Sequence, residues 1–79
     1  MNLKFSIHFE QAIIERNISI DHLKKVIRNP DECYTSFGGR KVARKTFAGK
    51  ILEVVYVQGV TRDTKEEYRI ITAYYILNK

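Results

Sequence analysis

The sequence has little cysteine, proline or glycine and no long apolar run. Its 79 residues include one cysteine, one proline and four glycines. Because Cys33 is alone, no internal disulfide can form, and the low proline and glycine content excludes a collagen-like or low-complexity chain. No apolar stretch approaches about 18 residues, so we expect no membrane-spanning segment. The polar start of the chain is unlike a signal peptide, which favours a cytoplasmic protein.

The length and the apolar content predict one domain spanning residues 1–79. A chain of this length has no room for a second domain of ordinary size. Apolar residues make up 44% of the chain, and four phenylalanines with five tyrosines supply large side chains for a core. This content favours a folded chain over a disordered one.

The positive charge of the chain is concentrated in one segment. Fourteen Lys and Arg against nine Asp and Glu give a formal net charge of +5. Five of the basic residues and no acidic residue fall within residues 40–50, which we call the basic strip. A local excess of this kind is typical of an anion-binding surface, and the alternative is an edge strand that uses lysine and arginine to prevent aggregation. The charge alone leaves both interpretations open.

Two helices are predicted near the start of the chain. Ser6 precedes an apolar repeat of helical period and is expected to cap a helix over Ile7–Arg16, which Asn17 ends in a left-handed conformation. Ser19 is expected to cap a second helix. That helix ends at Asn29-Pro30, because the residue before a proline avoids the helical conformation.

After Pro30 the apolar residues alternate with polar ones, which predicts strands. The four predicted strands are Glu32–Phe37, Arg40–Phe47, Ile51–Gln58 and Tyr68–Leu77. The polar stretch Gly59–Glu67 is expected to join the last two. The predicted fold class is therefore α+β, with two N-terminal helices packed on one face of a four-stranded antiparallel sheet.

A two-residue hairpin at Gly38-Gly39 sets the expected pairing of the first two strands, and it places Cys33 opposite Arg44. An even loop at the next turn then separates two sets of side chains. The more apolar set, which we assign to the helices, contains Leu52, Val54 and Tyr56. The face left open receives Arg40, Arg44 and Glu53.

The available residue types favour metal-free chemistry on an anion. The two histidines lie far apart and the cysteine is single, so the sequence has no zinc-binding spacing, and we expect no metal and no cofactor. His8, in the first turn of the first helix, is a candidate for proton transfer, and Arg16 on the same helix edge is a candidate for charge stabilisation. Further cations and hydroxyls are supplied by Arg40, Lys41, Arg44, Lys45, Lys50, Tyr68, Thr72, Tyr74 and Tyr75.

Each candidate has a structural alternative. His8 can cap its helix or pair with a carboxylate, and Arg16 can pair with a neighbouring acid or with the second helix. Arg44 can pair across the strands with Glu53. The tyrosines can be ordinary amphipathic strand residues, and His22 is interpreted as a solvated surface histidine.

Motifs at both ends of the chain resemble a known family. His8-x-x-x-Ala12-x-x-x-Arg16, followed by Asn17-Ile18-Ser19 and Asn29-Pro30, is similar to the start of the family called domain of unknown function 4258. The segments 51–56 and 69–74 resemble the paired last strands of that family and the ending of the BrnT toxins. Both groups are considered related to RelE-like and barnase-like metal-independent ribonucleases, and the resemblance covers nearly the whole chain.

The resemblance implies a RelE/BrnT-like fold and a toxin-like endoribonuclease that cleaves RNA by attack of the 2′-hydroxyl on its own phosphate. The catalytic candidates are His8, Arg16, Arg44 and Thr72, and the RNA-binding candidates are Arg40, Lys41, Lys45, Lys50 and Tyr74. Such a toxin needs a neutralising partner, and the positive charge predicts an acidic antitoxin protein. The alternatives are a non-catalytic RNA-binding or regulatory module and a protein-interaction domain without affinity for nucleic acid.

Overall fold

The elements of the fold follow the chain as one strand, two helices and four more strands. The computed structural model describes residues 2–60 and 66–77. Its elements are β1 (Asn2–Phe5), α1 (Ile7–Glu15), α2 (Ile20–Arg28), β2 (Glu32–Thr35), a single 3₁₀ turn (Phe37–Gly39), β3 (Lys41–Phe47), β4 (Lys50–Val60) and β5 (Glu66–Leu77). The strands form one mixed sheet in the order β1-β5-β4-β3-β2. The predicted α+β class with two helices is confirmed.

Both helices begin where the sequence predicts, and α2 also ends there, whereas α1 ends at Glu15, one residue earlier than predicted. The Ser6 hydroxyl accepts the N–H of Phe9 at 3.1 Å, and the Ser19 hydroxyl accepts the N–H of His22 at 3.3 Å. These bonds satisfy amide donors that a helix start leaves unpaired. Asn17 has a φ of 52°, which turns the chain between the two helices.

The helices cover one face of the sheet, and the core lies between the two layers. Ala48 and Gly49 both have positive φ in a two-residue turn that joins β3 to β4. This turn sets Ala43 opposite Val54, so the predicted assignment of Leu52, Val54 and Tyr56 to the helix side is confirmed. The fully buried side chains at the centre are Leu23, Val26, Leu52, Val54 and Ile70.

The prediction of four antiparallel strands is wrong in one respect, because a fifth strand is parallel. β1 pairs with Glu67–Ile70 of β5, with Phe5 opposite Ile70. Four residues of alternating pattern are too few to identify a strand from the sequence, and the partner of β1 lies at the far end of the chain. The predicted loop Gly59–Glu67 is also shorter at both ends, since β4 reaches Val60 and β5 begins at Glu66. Residues 61–65 lie outside the described residues.

The predicted register of the first hairpin is wrong by one residue. The turn contains three residues, Phe37–Gly39, and the N–H of Ser36 donates to the carbonyl of Arg40 at 2.6 Å. Gly38 and Gly39 both have positive φ, as a two-residue turn would require, but the extra residue shifts the pairing. Glu32, and not Cys33, therefore lies opposite Arg44.

Candidate functional site

A groove of 470 Å³ lies at one end of the sheet, on the side that carries the helices. It is bounded by the link between α1 and α2, the start of α2, the β3–β4 turn and the end of β5. The side chains with chemical functions along it are Arg16, Ser19, His22, Lys50 and Tyr75, beside the ring of Phe47. We call it the His22 groove.

The imidazole of His22 is held on two sides. Its ring stacks on Phe47 with 4.0 Å between the ring centres and 6° between the planes. Its Nδ1 lies 3.1 Å from the hydroxyl oxygen of Tyr75. When Nδ1 carries a proton it donates to this oxygen, and when Nδ1 is unprotonated it accepts from the Tyr75 hydroxyl. The contacts fix the ring and leave Nε2 as the nitrogen available for other partners.

Two cations of the groove have neutral surroundings. The Arg16 Nη1 donates to the backbone carbonyl of Ala73 at 3.0 Å, and the Lys50 Nζ lies 5.7 Å from the centre of the Tyr75 ring. Within residues 2–60 and 66–77, neither side chain forms an ion pair. Their positive charge is therefore available to an anion in the groove.

On the opposite face of the sheet a buried carboxylate organises its neighbours. Glu53 is only 4% exposed, and its Oε1 accepts the Nε of Arg44 at 2.5 Å, while its Oε2 accepts the hydroxyl of Tyr74. Arg44 also lies 3.8 Å from Glu32 and 6.0 Å from the ring centre of Tyr34. We call this set the Glu53 network.

The Glu53 network commits Arg44 to internal partners. The hydrogen bond and the charge of Glu53 raise the pKa of Arg44 further above its ordinary value, so the guanidinium is permanently charged. The negative charges of Glu53 and Glu32 beside it largely balance this positive charge. The structural alternative for Arg44, a cross-strand pair with Glu53, is therefore confirmed.

The remaining predicted site residues are spread over the molecule. Lys45 donates to the carbonyl of Asn29 at 2.9 Å and lies 3.7 Å from Asp31, whereas Lys41 donates to the side chain of Gln58 at 3.1 Å. Both lysines are thus partly engaged.

Three further candidates lie apart from the groove. Thr72 is half-buried opposite Val55, on the same open face as the Glu53 network. Arg40 is exposed after the first hairpin turn, and His8 is exposed in the first turn of α1. Arg16 and Lys50 are therefore the predicted candidates that the His22 groove brings together, and the roles of the others stay predictions.

Sequence reasoning missed His22 and Tyr75 as partners. His22 directly precedes buried Leu23 and lies four residues before buried Val26, so it flanks the apolar stripe of α2. That position is a signal that a histidine points toward the sheet. Tyr56, by contrast, is a core residue, and burial raises its pKa to about 12.

Three other depressions among the described residues lack this combination of groups. One of 610 Å³ beside β1 is lined by Lys4, Ser6, Glu67, Arg69 and three apolar residues, and its described lining contains no imidazole and no phenol. In the described part of the chain, no three His, Cys, Asp or Glu side chains cluster as a metal site would require. No described helix is long and apolar enough to cross a membrane.

The family described as Domain of unknown function (DUF4258) matches residues 5–75. The chain belongs to the DUF4258 family. No curated protein and no solved structure matches it. The matched region of this DUF4258 chain includes both helices and every residue named above as lining the His22 groove, from Arg16 to Tyr75.

Proposed function

We propose that this DUF4258 chain is a toxin-like, metal-independent endoribonuclease and that its reaction takes place in the His22 groove. The observation that supports the proposal is the convergence on one open groove of an imidazole, a phenol and two cations that form no ion pair within the described residues. These are the groups that cleavage of RNA by its own 2′-hydroxyl requires: a proton acceptor, a proton donor and positive charge beside the phosphate.

In the proposed reaction each group has a role. With Nδ1–H donating to Tyr75, His22 presents an unprotonated Nε2 that accepts the proton of the 2′-hydroxyl. The 2′-oxygen then bonds to phosphorus as the bond to the 5′-oxygen breaks. The Tyr75 hydroxyl gives its proton to the departing 5′-oxygen and recovers one from Nδ1 of His22. The products are a 2′,3′-cyclic phosphate and a free 5′-hydroxyl.

The two cations act on the phosphate. Arg16 keeps donors beyond the one bonded to Ala73, and Lys50 has three, so both can bind phosphate oxygens whose charge grows during the attack. The start of α2, with Ser19 as its cap, adds the positive end of a helix to the same groove. This assignment keeps the predicted roles of Arg16 and Lys50 and moves the imidazole role from His8 to His22.

A non-catalytic RNA-binding module is the second candidate. It is favoured by the flat, stacked rings of His22 and Phe47, since rings of this kind stack on unpaired bases. On this alternative the groove binds single-stranded RNA through stacking and phosphate contacts, and no bond breaks.

One experiment separates the two candidates. The purified protein is incubated with a 5′-labelled single-stranded RNA in EDTA, and the ends of the products are analysed. Cleavage with 2′,3′-cyclic phosphate ends is expected for the nuclease, whereas a salt-sensitive mobility shift without cleavage would support the binding module. A protein that does neither would contradict both candidates.

The two histidines form a matched pair of variants. His22→Ala is expected to lower the cleavage rate about 10²- to 10⁴-fold, the usual range for a lost general acid or base, and His8→Ala is expected to leave it unchanged. Melting temperatures control for folding. The reverse result, with His8→Ala inactive and His22→Ala active, would move the reaction to the exposed turn of α1.

The toxin part of the proposal predicts a biological effect and a partner. Expression of the chain alone is expected to slow growth, and the effect should depend on His22. The net charge of +5 favours an acidic antitoxin protein as the neutralising partner. Growth unaffected by a chain that cleaves RNA in vitro would contradict the toxin role and leave the nuclease role standing.

A further inference from the structure

The last strand of the chain is only partly enclosed by the sheet. β4 pairs with β5 along its length, but on the other side β1 pairs with Glu67–Ile70 alone. In the described part of the chain, no strand pairs with residues 71–77 on that side. We call these seven residues of β5 the β5 edge.

In the β5 edge, the main-chain N–H and C=O groups of every second residue point away from β4. Along a strand, consecutive residues direct their N–H and C=O groups to opposite sides. The carbonyl of Ala73 is reached from outside by Arg16, so the main-chain groups of Tyr75 and Leu77 face the same way. An unpaired row of this kind is a template for another strand.

The side chains of the β5 edge offer little protection against such pairing. Residues 71–77 read Ile-Thr-Ala-Tyr-Tyr-Ile-Leu, with no charged residue, no proline and no glycine. Sheet edges that remain open are ordinarily short or carry charges. The other edge of this sheet, β2, fits that description, since it has four residues and begins with Glu32.

We propose that an extended acidic segment of another protein adds to the β5 edge as a strand. An N–H of the incoming strand donates to the Ala73 carbonyl in place of Arg16, and the strand lies along the His22 groove. Arg16 and Lys50 favour carboxylates at this position. A second copy of the chain is disfavoured, because pairing of two β5 edges would bring the Arg16 side chains of both copies together.

Inhibition of RNA cleavage by the bound strand rests on the proposed function, but binding of the strand to the β5 edge does not require RNA. The bound strand is expected to block access of RNA to His22 and to displace Arg16 from its present acceptor. An acidic antitoxin with such a segment would therefore inhibit by occupying the edge of the sheet. If the chain does not cleave RNA, the docking site can still be tested.

The test uses a synthetic peptide of alternating Val and Glu, acetylated and amidated, and long enough to span the β5 edge. Its binding is measured by fluorescence anisotropy, and amide exchange of the protein is followed by NMR. We expect saturable binding and at least about tenfold slower exchange at Tyr75 and Leu77, whose N–H groups the peptide would cover. No binding, or protection confined to residues 32–35, would overturn the proposal.

Two controls distinguish strand pairing from attraction by charge. The same peptide, N-methylated at the amides that face β5, keeps its charge and loses its main-chain donors, so we expect at least about tenfold weaker binding. Equal binding by the two peptides would overturn the proposal.

The protein itself supplies the second control. Lys50→Gln is expected to weaken peptide binding, whereas Lys24→Gln, which removes the same charge from the exposed side of α2, is not. Equal effects of the two variants would contradict docking at the β5 edge. Sedimentation of the free chain as a dimer, with Tyr75 and Leu77 already protected, would assign the edge to a second copy instead.

Discussion

Arg44 and Lys50 belong to one basic strip of the sequence, yet the fold gives them opposite surroundings. Arg44 lies on the open face of the sheet between Glu53 and Glu32, and Lys50 lies at the rim of the His22 groove over the ring of Tyr75. The charge of the first is balanced by two carboxylates, and the charge of the second meets an aromatic ring. Arg44 is thus a cation that holds the fold together, whereas Lys50 is a cation that can bind an anion.

The difference arises from residues outside the basic strip. The acids that engage its cations are contributed by β4, by β2 and by the residue before β2, since Lys45 lies 3.7 Å from Asp31. A segment of sequence that contains no acid therefore holds, in the described part of the fold, both cations paired with carboxylates and cations that are not. Strand register decides which cations fall into each group.

The largest expected difference between the two faces of the sheet is in RNA cleavage after substitution of the neighbouring tyrosines of β5, Tyr74 and Tyr75. Tyr75→Phe keeps the ring and removes the hydroxyl that pairs with His22, so cleavage of RNA should fall on the order of 10²-fold. Tyr74→Phe removes the hydroxyl that donates to Glu53, so cleavage should persist while the free energy of unfolding falls by about 0.5–1.5 kcal/mol. Cleavage assays and urea denaturation of both variants provide the measurement. Loss of cleavage in Tyr74→Phe would place chemistry on the open face.

Glu53→Gln tests the structural role of the open face directly. The carboxylate is buried, and the amide keeps one acceptor but loses the charge that pairs with Arg44, so we expect the free energy of unfolding to fall by about 1–3 kcal/mol. Cleavage of RNA, measured well below the new melting temperature, should remain at the level of the parent. A variant that is as stable as the parent but inactive would assign Glu53 to the reaction.

Lys50→Gln tests whether the groove cation meets phosphate. For single-stranded RNA the dependence of log affinity on log salt concentration should become shallower by about 0.7, the value for one lost phosphate contact. Lys24→Gln on α2 is the matched control and should leave the slope unchanged. Identical slopes for Lys50→Gln and the parent would show that Lys50 does not contact the RNA backbone.

The smallest effect concerns Asp31 beside the strip. The N–H of Thr46 donates to its carboxylate at 2.9 Å, and this bond, assisted by Lys45, lowers the pKa of Asp31 below 3.8. A carboxyl whose pKa is lowered in the folded state stabilises the fold above its unfolded pKa, and this contribution is lost as the pH falls through the folded value. Thermal melts of Asp31→Asn should therefore approach those of the parent below about pH 3.8. Asp21→Asn, which removes an acid from α2, serves as the control.

The local parts of the fold were predictable from the sequence. The serine caps of both helices, the left-handed Asn17 and the face on which Leu52 and Val54 lie depend on neighbours within one turn or one hairpin. Short-range hydrogen bonding and the two-residue period decide such features, so a sequence pattern carries them.

The parts that depend on distant residues were not predictable. β1 is recognisable only through its partner in β5, and the first hairpin contains one residue more than its two glycines suggest. The candidate site shows the same limit. His22 becomes a candidate site residue through its contacts with Phe47 and Tyr75, which lie 25 and 53 residues further along the chain and are brought to it by the sheet.

The pairing of β1 with β5 also bears on when a newly made chain becomes functional. On a ribosome β1 emerges before every other described element and β5 after all of them. β1 therefore has no partner until Glu67–Ile70 have been made, and the His22 groove is incomplete until Tyr75 has been made. Closing so long a loop is slow relative to forming local structure. On the proposed function, a nascent chain that still lacks Tyr75 cannot cleave RNA, so activity would begin only after that residue has been made and has folded onto His22.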